Sequence, residues 1–123
     1  MLFRSLIVEG VGDRVIVLAD ATHDRAAALI SHMPHVGATA MVNTLVADPD
    51  RNIDAALAAG SWRDVTRVAL TDPDRKRAMV EKDAGNVARL LRDMSARLLD
   101  AADLLRDGRA GSEAVREIGR AHV

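Results

Sequence analysis

The chain has 123 residues, of which 49% are hydrophobic and 28% charged, and its formal net charge is −1. A chain of this length can bury one modest core, and its balanced charge gives no reason to expect a nucleic-acid or membrane-surface partner. Its apolar runs are too short to span a bilayer. Cysteine is absent, which excludes disulfides and thiolate metal sites and is typical of a cytoplasmic protein.

The two ends of the chain share a pattern at the nucleotide level. Residues 2–5 can be encoded by CTC TTC CGA TCT, and the reverse complement of that string encodes residues 118–120 in one frame. The letters are those of a common sequencing-library adapter. We therefore predict that residues 1–5 and 117–123 are adapter-derived, and that the gene is truncated on its 5′ side.

Residues 6–20 are predicted to be the remnant of the end of a nucleotide-binding domain. Residues 6–11 form a short apolar stretch that we interpret as the last turn of a helix. Residues 14–18 are apolar and β-branched, which indicates one buried strand. Because a lone strand leaves its backbone groups unpaired, we expect it to belong to a sheet outside this chain.

Residues 21–107 are predicted to form an all-α domain of four to five helices. The first and longest helix runs from residue 23 to about residue 47, with Thr22 as its N-cap. Pro34 lies within this helix and should kink it, because proline removes a backbone donor and crowds the preceding turn.

Two Asp-Pro pairs, at residues 48–49 and 72–73, predict points where one helix ends and the next begins. Between them we expect one helix that is ended by Gly60, and a short helix over residues 61–70 that is capped by Ser61.

From residue 73 the pattern is helical to about residue 106, with a break near Gly85. One apolar stripe follows the second part of this segment at spacings of four and three: Val87, Leu91, Met94, Leu98, Ala101 and Leu105. Aromatic residues make up only 2% of the chain, so the buried area must come from aliphatic contacts between helices. We expect those contacts to include a second copy of the chain, with residues 108–116 as a tail.

A row of polar residues lies on the first long helix. Ser31, His32 and His35 are three and four positions apart and share one face, which Thr39 and Asn43 continue. Buried polar groups need partners, so the row either makes ordinary core or interface contacts, or meets a ligand. A metal is the weaker interpretation, because no carboxylate lies at ligand spacing, and no metal is predicted.

A second pair of candidate residues, Asp64 and Arg67, lies on the short helix. The acid-before-base order at a spacing of three favours a helical ion pair. As a surface pair it would contribute less than about 1 kcal/mol. Alternatively, Asp64 orients the Arg67 guanidinium, which then binds a ligand carboxylate through two hydrogen bonds.

Taken together, these motifs resemble the C-terminal helical part of the prephenate dehydrogenases. The likeness joins Ser-His-Met-Pro-His at residues 31–35 to Gly-Ser-Trp-Arg-Asp-Val-Thr-Arg at residues 60–67 and Asp-Pro at residues 72–73, and covers about residues 13–106. It implies an enzyme of tyrosine biosynthesis that oxidatively decarboxylates prephenate to 4-hydroxyphenylpyruvate. Some members of the family act on arogenate instead.

The resemblance also implies which domain binds the cofactor and which completes the substrate site. An N-terminal domain would bind NAD or NADP and carry the catalytic histidine, while the helical part forms a homodimer and completes the substrate site. His35 and Arg67 match substrate-binding residues, and Asp64 matches the ionic partner of that arginine. His32 and Ser31 match supporting positions. No catalytic or cofactor-binding residue is expected here, so the chain alone should bind no cofactor and be inactive.

Two departures from the family pattern leave the choice between prephenate and arogenate open. Lys76 stands where the family often has tryptophan, and Asp83 where it often has asparagine. One alternative function is a free-standing helical interaction or regulatory protein without catalysis. Another is the helical domain of a hydroxyacid dehydrogenase, which would need a catalytic lysine on the first long helix. Residues 23–47 contain no lysine.

Overall fold

The computed structural model of the chain describes residues 3–9, 14–106 and 116–120. The chain divides into two compact units, residues 1–90 and residues 91–123. Within the described residues, no helix combines the length and the apolar character that crossing a bilayer requires.

Two strands precede the helices. β1 spans Phe3–Glu9 and β2 spans Arg14–Ala19, and they pair with each other in antiparallel fashion. Residues 6–9 are therefore strand rather than the predicted helical turn, and residues 10–11 of that stretch lie outside the described residues. Leu6-Ile7-Val8 is as apolar and β-branched as β2, and pairing satisfies backbone groups of both strands.

The prediction of a lone strand is accordingly wrong, since β2 has a partner within the chain. The origin of residues 6–20 in a nucleotide-binding domain stays a prediction. The same holds for the adapter origin of residues 1–5 and 117–123.

The predicted long first helix is confirmed and covers residues 20–47. It consists of α1 (Asp20–Ala27), a π-helical segment (Ala28–His32) and α2 (Met33–Ala47). The Met33 N–H donates to the carbonyl of Ala28, five residues earlier, and Pro34 has no N–H with which to resume the α-helical pattern at once. The irregularity expected at Pro34 is thus a local π-helical turn in the preceding residues.

The start of the first helix differs from the prediction. α1 begins at Asp20, and the preceding residue, Ala19, makes no side-chain capping bond. Thr22 lies inside the first turn, where its hydroxyl oxygen accepts a hydrogen bond from the Arg25 guanidinium at 3.3 Å. Asp20 stabilises this end through its charge near the positive end of the helix dipole. Because the helix begins before Thr22, the prediction of Thr22 as the N-cap is wrong.

The remaining helices are α3 (Arg51–Leu57), α4 (Gly60–Thr66) with a 3-10 continuation (Arg67–Leu70), α5 (Pro73–Glu81) and α6 (Ala84–Arg106). Counted as continuous runs, the described residues 20–106 form five helices, as the sequence predicts. Both Asp-Pro breaks are confirmed. After α2, the Asp48 carboxylate accepts the Asp50 N–H at 3.1 Å and stabilises the turn.

Two predicted boundaries near residue 60 are wrong. Gly60 is the first residue of α4 instead of the end of α3. Ala58 has ψ 125° and Ala59 has ψ −166°, so two extended alanines turn the chain and the glycine is not required there. Ser61 lies inside α4 and does not cap it, because the flanking residue is Ala59.

In the first unit, α2 packs against α3, α4 and the 3-10 segment, and the π-helical segment packs against α5. Ala28, Ala38 and Val87 are its buried apolar residues. This packing brings the segment that carries residues 31–35 close to α5, and α2 close to the segment that begins at Arg67.

Many large apolar side chains stay exposed in both units. In the first unit, Leu70 is 88% exposed and Leu57 76% exposed. In the second, the last turns of α6 expose Leu98, Leu99 and Leu105 by more than half. Exposed apolar surface of this extent is typical of a chain that associates with another protein surface.

Candidate functional site

His35 is held by the backbone one turn earlier. Its Nδ1 lies 2.8 Å from the carbonyl oxygen of Ser31, and a carbonyl can only accept, so Nδ1 carries the hydrogen. In the neutral ring, Nε2 then keeps its lone pair and remains able to accept a hydrogen bond from a ligand hydroxyl. The half-buried ring of His35 is thereby fixed in both orientation and tautomer.

His32 meets a carboxylate from the turn between α5 and α6. His32 Nδ1 lies 3.7 Å from Asp83 Oδ2, and the two side chains are only 15% and 10% exposed. This separation is an ion-pair distance and is too long for a hydrogen bond, and neither atom has a hydrogen-bond partner. The other oxygen, Asp83 Oδ1, accepts from Asn86 Nδ2 at 2.7 Å, which fixes the carboxylate beside the imidazole.

Lys76 links the two elements that carry the predicted substrate residues. Its Nζ donates to Thr39 Oγ1 at 3.0 Å and to the carbonyl oxygen of Ala69 at 2.9 Å. Thr39 Oγ1 in turn donates to the carbonyl of His35 at 3.0 Å. Lys76 therefore joins α2, one turn beyond His35, to the 3-10 segment that begins at Arg67.

Arg67 and Asp64 are exposed, and no ion pair joins them. The buried residue between them, Thr66, donates to the carbonyl of Trp62 at 2.7 Å. An exposed pair gains too little to hold two long side chains together, which explains why the predicted contact is not formed. The roles of Asp64 and Arg67 toward a ligand stay predictions.

The predicted residues are thus brought together only in part. Ser31 and His32 meet α5 and the turn after it, where Ser31 Oγ lies 4.0 Å from Met79 Sδ and His32 faces Asp83. His35 shares their face of the helix by its spacing. Arg67 lies on a segment packed against α2, and in the described structure no hydrogen bond joins Arg67 to His35.

The partners on α5 and in the turn after it were missed as site residues by sequence reasoning. In the sequence, Lys76 and Asp83 stand out only as departures from the family pattern. Lys76 and Met79 lie on one face of α5, and Asp83 follows at a spacing of four, just beyond the end of that helix. That spacing is the signal that could have found them. Among the described residues, no three potential metal ligands come together.

The described residues of the first unit line at least two grooves. The larger, of about 670 Å³, lies between α2, α3 and α4 and contains none of the predicted site residues. The smaller, of about 500 Å³, lies between α2, the 3-10 segment and α5. It is lined by Val36, Thr39, Ala69, Pro73, Lys76, Arg77 and Val80. We call this second one the lysine groove.

Two acids lie together at the larger groove. A hydrogen bond with the Asp48 carboxyl raises the pKa of Asp54 above its ordinary value of 3.8, and partial desolvation and the charge of Asp48 act in the same direction. The folded chain therefore holds this proton more tightly than the unfolded chain. Stability contributed by the protonated form is lost as pH rises through the range above 3.8.

Replacing Asp54 with asparagine should remove this dependence. We expect a slightly higher thermal midpoint at pH 7, because the repulsion from Asp48 is gone, and a flatter stability profile between pH 4 and 6. Thermal unfolding at a series of pH values from about 4 to 7 measures both effects. Asp50→Asn is the matched control, and an equal change of slope in the two variants would rule out the Asp48–Asp54 interaction as the cause.

The helical fold with its histidine row defines a class of protein, an all-α domain that carries a polar row on its longest helix. Residues 19–118 match the family model described as the prephenate dehydrogenase dimerization domain. This match covers most of the chain. The chain belongs to the prephenate dehydrogenase dimerization-domain family, which removes the hydroxyacid dehydrogenase alternative.

Relatives of known name agree with this assignment. A cyclohexadienyl dehydrogenase from Zymomonas mobilis is 34% identical over 67 residues, which are 53% of this chain and 23% of that protein. A Corynebacterium glutamicum structure assigned as a prephenate dehydrogenase has a TM-score of 0.61 and 31% identity, covering 83% of this chain and 38% of the other.

The arogenate dehydrogenase of Synechocystis shares the fold, with a TM-score of 0.78 at 24% identity over 87% of this chain and 39% of that one. The chain therefore spans less than half the length of each of these proteins.

Proposed function

We propose that this chain is the helical part of a prephenate or arogenate dehydrogenase and supplies substrate binding and dimer contacts. The full enzyme would remove a hydride from the ring of its substrate while carbon dioxide leaves. The observation that carries the proposal is the fixed, half-buried His35 on a helix that packs against the segment beginning with Arg67. Membership of the family supports the reaction class.

The charges suit an anionic substrate. Prephenate carries two carboxylates, and a site for it needs cations that are not already neutralised. Arg67 has an exposed guanidinium without an acidic partner in the described structure, and its planar fork matches a carboxylate. In its neutral form, His35 would accept a hydrogen bond at Nε2 from a substrate hydroxyl. On substrate binding, Asp64 would form an ion pair with Arg67 and orient its guanidinium.

Ser31 and His32 would act as supporting residues. The Ser31 carbonyl sets the tautomer of His35. His32, opposite Asp83, fixes the packing of the first helix against the turn that follows α5. Neither needs to contact the substrate in order to affect it.

The nicotinamide cofactor is assigned to another domain. In the described structure, β2 passes directly into α1 at Ala19 and Asp20, and this turn contains no glycine that would let the backbone approach a pyrophosphate. The described β2–α1 turn therefore lacks the glycine-rich form that a dinucleotide site uses. We propose NAD or NADP for the full-length enzyme, none for this chain alone, and a cytoplasmic location.

A homodimer is part of the same proposal. The matched family model describes a dimerization domain, and the exposed leucines of α3, the 3-10 segment and α6 offer apolar area for a second copy. Sedimentation of the purified chain at micromolar concentration would show the dimer.

The proposal is tested with the complete reading frame that encodes this chain. The full-length protein should reduce NAD or NADP with prephenate or arogenate as the substrate, and the 123-residue chain alone should not. A folded full-length protein that oxidises neither substrate would contradict the proposed reaction. Turnover by the isolated chain would contradict the division of roles.

A further inference from the structure

One N–H of the Lys76 ammonium group makes no hydrogen bond within the described structure. An ammonium group carries three N–H bonds, and two of them are used by Thr39 Oγ1 and the Ala69 carbonyl. The side chain is half-buried and lines the lysine groove of about 500 Å³. The remaining N–H is therefore held at the wall of a cavity large enough for a small ligand.

The charge of Lys76 is not neutralised by the described residues around it. Both of its hydrogen-bond acceptors are neutral oxygens. Its neighbour Arg77 differs, because it pairs with Glu81 at 2.8 Å. Asp83, the acid in the turn after α5, lies against His32 and Asn86 and does not line the groove. A partly buried cation with only neutral partners favours the binding of an anion.

The remaining walls of the lysine groove indicate what kind of anion fits. Val36, Ala69 and Val80 give it an apolar lining, which suits an organic body more than inorganic phosphate. Thr39 and Ala69 also place the groove next to the segments that carry His35 and Arg67.

We propose that the lysine groove binds the side-chain carboxylate of the substrate, and that Lys76 makes the site prefer a 2-keto acid over the amino acid with the same skeleton. This inference rests on the proposed function. The amino acid presents an ammonium group beside its carboxylate, so it would bring a second positive charge close to Lys76 Nζ. At short range in a partly buried site, this repulsion disfavours the amino acid.

The test compares kcat/KM for prephenate, the keto acid, with that for arogenate, the amino acid, in the full-length enzyme. Wild-type protein should favour prephenate. Lys76→Met should lower the prephenate-to-arogenate ratio by about tenfold, mainly through KM for prephenate. Lys76→Arg should retain the preference because it keeps the charge. Arg75→Met, which removes an exposed charge from the same helix, is the control and should leave the ratio unchanged.

The possible outcomes separate the two proposals. If Lys76→Met lowers both efficiencies equally, Lys76 only joins α2 to the 3-10 segment, and the selectivity claim is overturned. A wild-type preference for arogenate overturns it as well, and this measurement stands even if Lys76→Met does not fold. Wild-type enzyme that oxidises neither substrate contradicts the proposed function instead.

Discussion

Arg67→Ala in the full-length enzyme should raise KM strongly while changing kcat less. If the carboxylate pair is buried in the complex, the loss corresponds to about 2–5 kcal/mol. Because Arg67 is exposed and has no partner in the described structure, its removal should leave the free energy of unfolding nearly unchanged. Steady-state kinetics and urea denaturation on the same preparation measure the two effects.

Arg63→Ala is the matched control for this prediction. Arg63 is an exposed arginine on α4, four residues before Arg67, so both variants remove one positive charge from the same surface. Equal changes in KM and kcat in the two variants would mean that substrate binding depends on the overall surface charge and not on a specific contact between Arg67 and a carboxylate.

His32→Ala should reduce stability, by about 2 kcal/mol. The substitution removes the group opposite Asp83 Oδ2 and leaves a carboxylate that is nine-tenths buried, with Asn86 as its remaining side-chain partner. A buried charge that loses its partner is costly. Urea denaturation of the 123-residue chain and of the full-length protein measures the loss.

A double-mutant cycle identifies the cause. Asp83→Asn removes the charge and keeps an oxygen that can accept from Asn86. In the Asp83→Asn background, His32→Ala should therefore cost clearly less than in the wild type. If its cost is the same in both backgrounds, the imidazole stabilises the fold by packing alone, and the pair with Asp83 contributes nothing.

The helices were predictable where their signals are local. Pro73 is the first residue of α5, whereas Pro49 lies in the turn before α3. In both pairs the helix ends because proline disfavours a helical conformation for the residue before it. The predicted N-cap of the first helix was wrong because the start of that helix is not set by local sequence alone. A threonine at residue 22 is a good cap on propensity grounds, but the start of α1 is set by where β2 ends, and that end depends on pairing with β1.

The site was predictable in its motif residues and not in their partners. Ser31, His32 and His35 share a face by spacing alone. Which face of α5 they meet is decided by packing between segments far apart in sequence, so the contacts of Lys76 and Asp83 were not accessible from periodicity. The Asp64–Arg67 ion pair is not formed, because a spacing of three residues allows a surface ion pair without making its free energy favourable.

We propose that His35 and Arg67 bind one substrate anion together. Side-chain NMR of the full-length protein with nitrogen-15-labelled arginine and histidine tests it directly, using prephenate without cofactor so that no turnover occurs. Arg67 Nε and His35 Nε2 should shift in the same titration with one dissociation constant. A shift at only one of these nitrogens, or saturation at two different concentrations, would contradict a shared site.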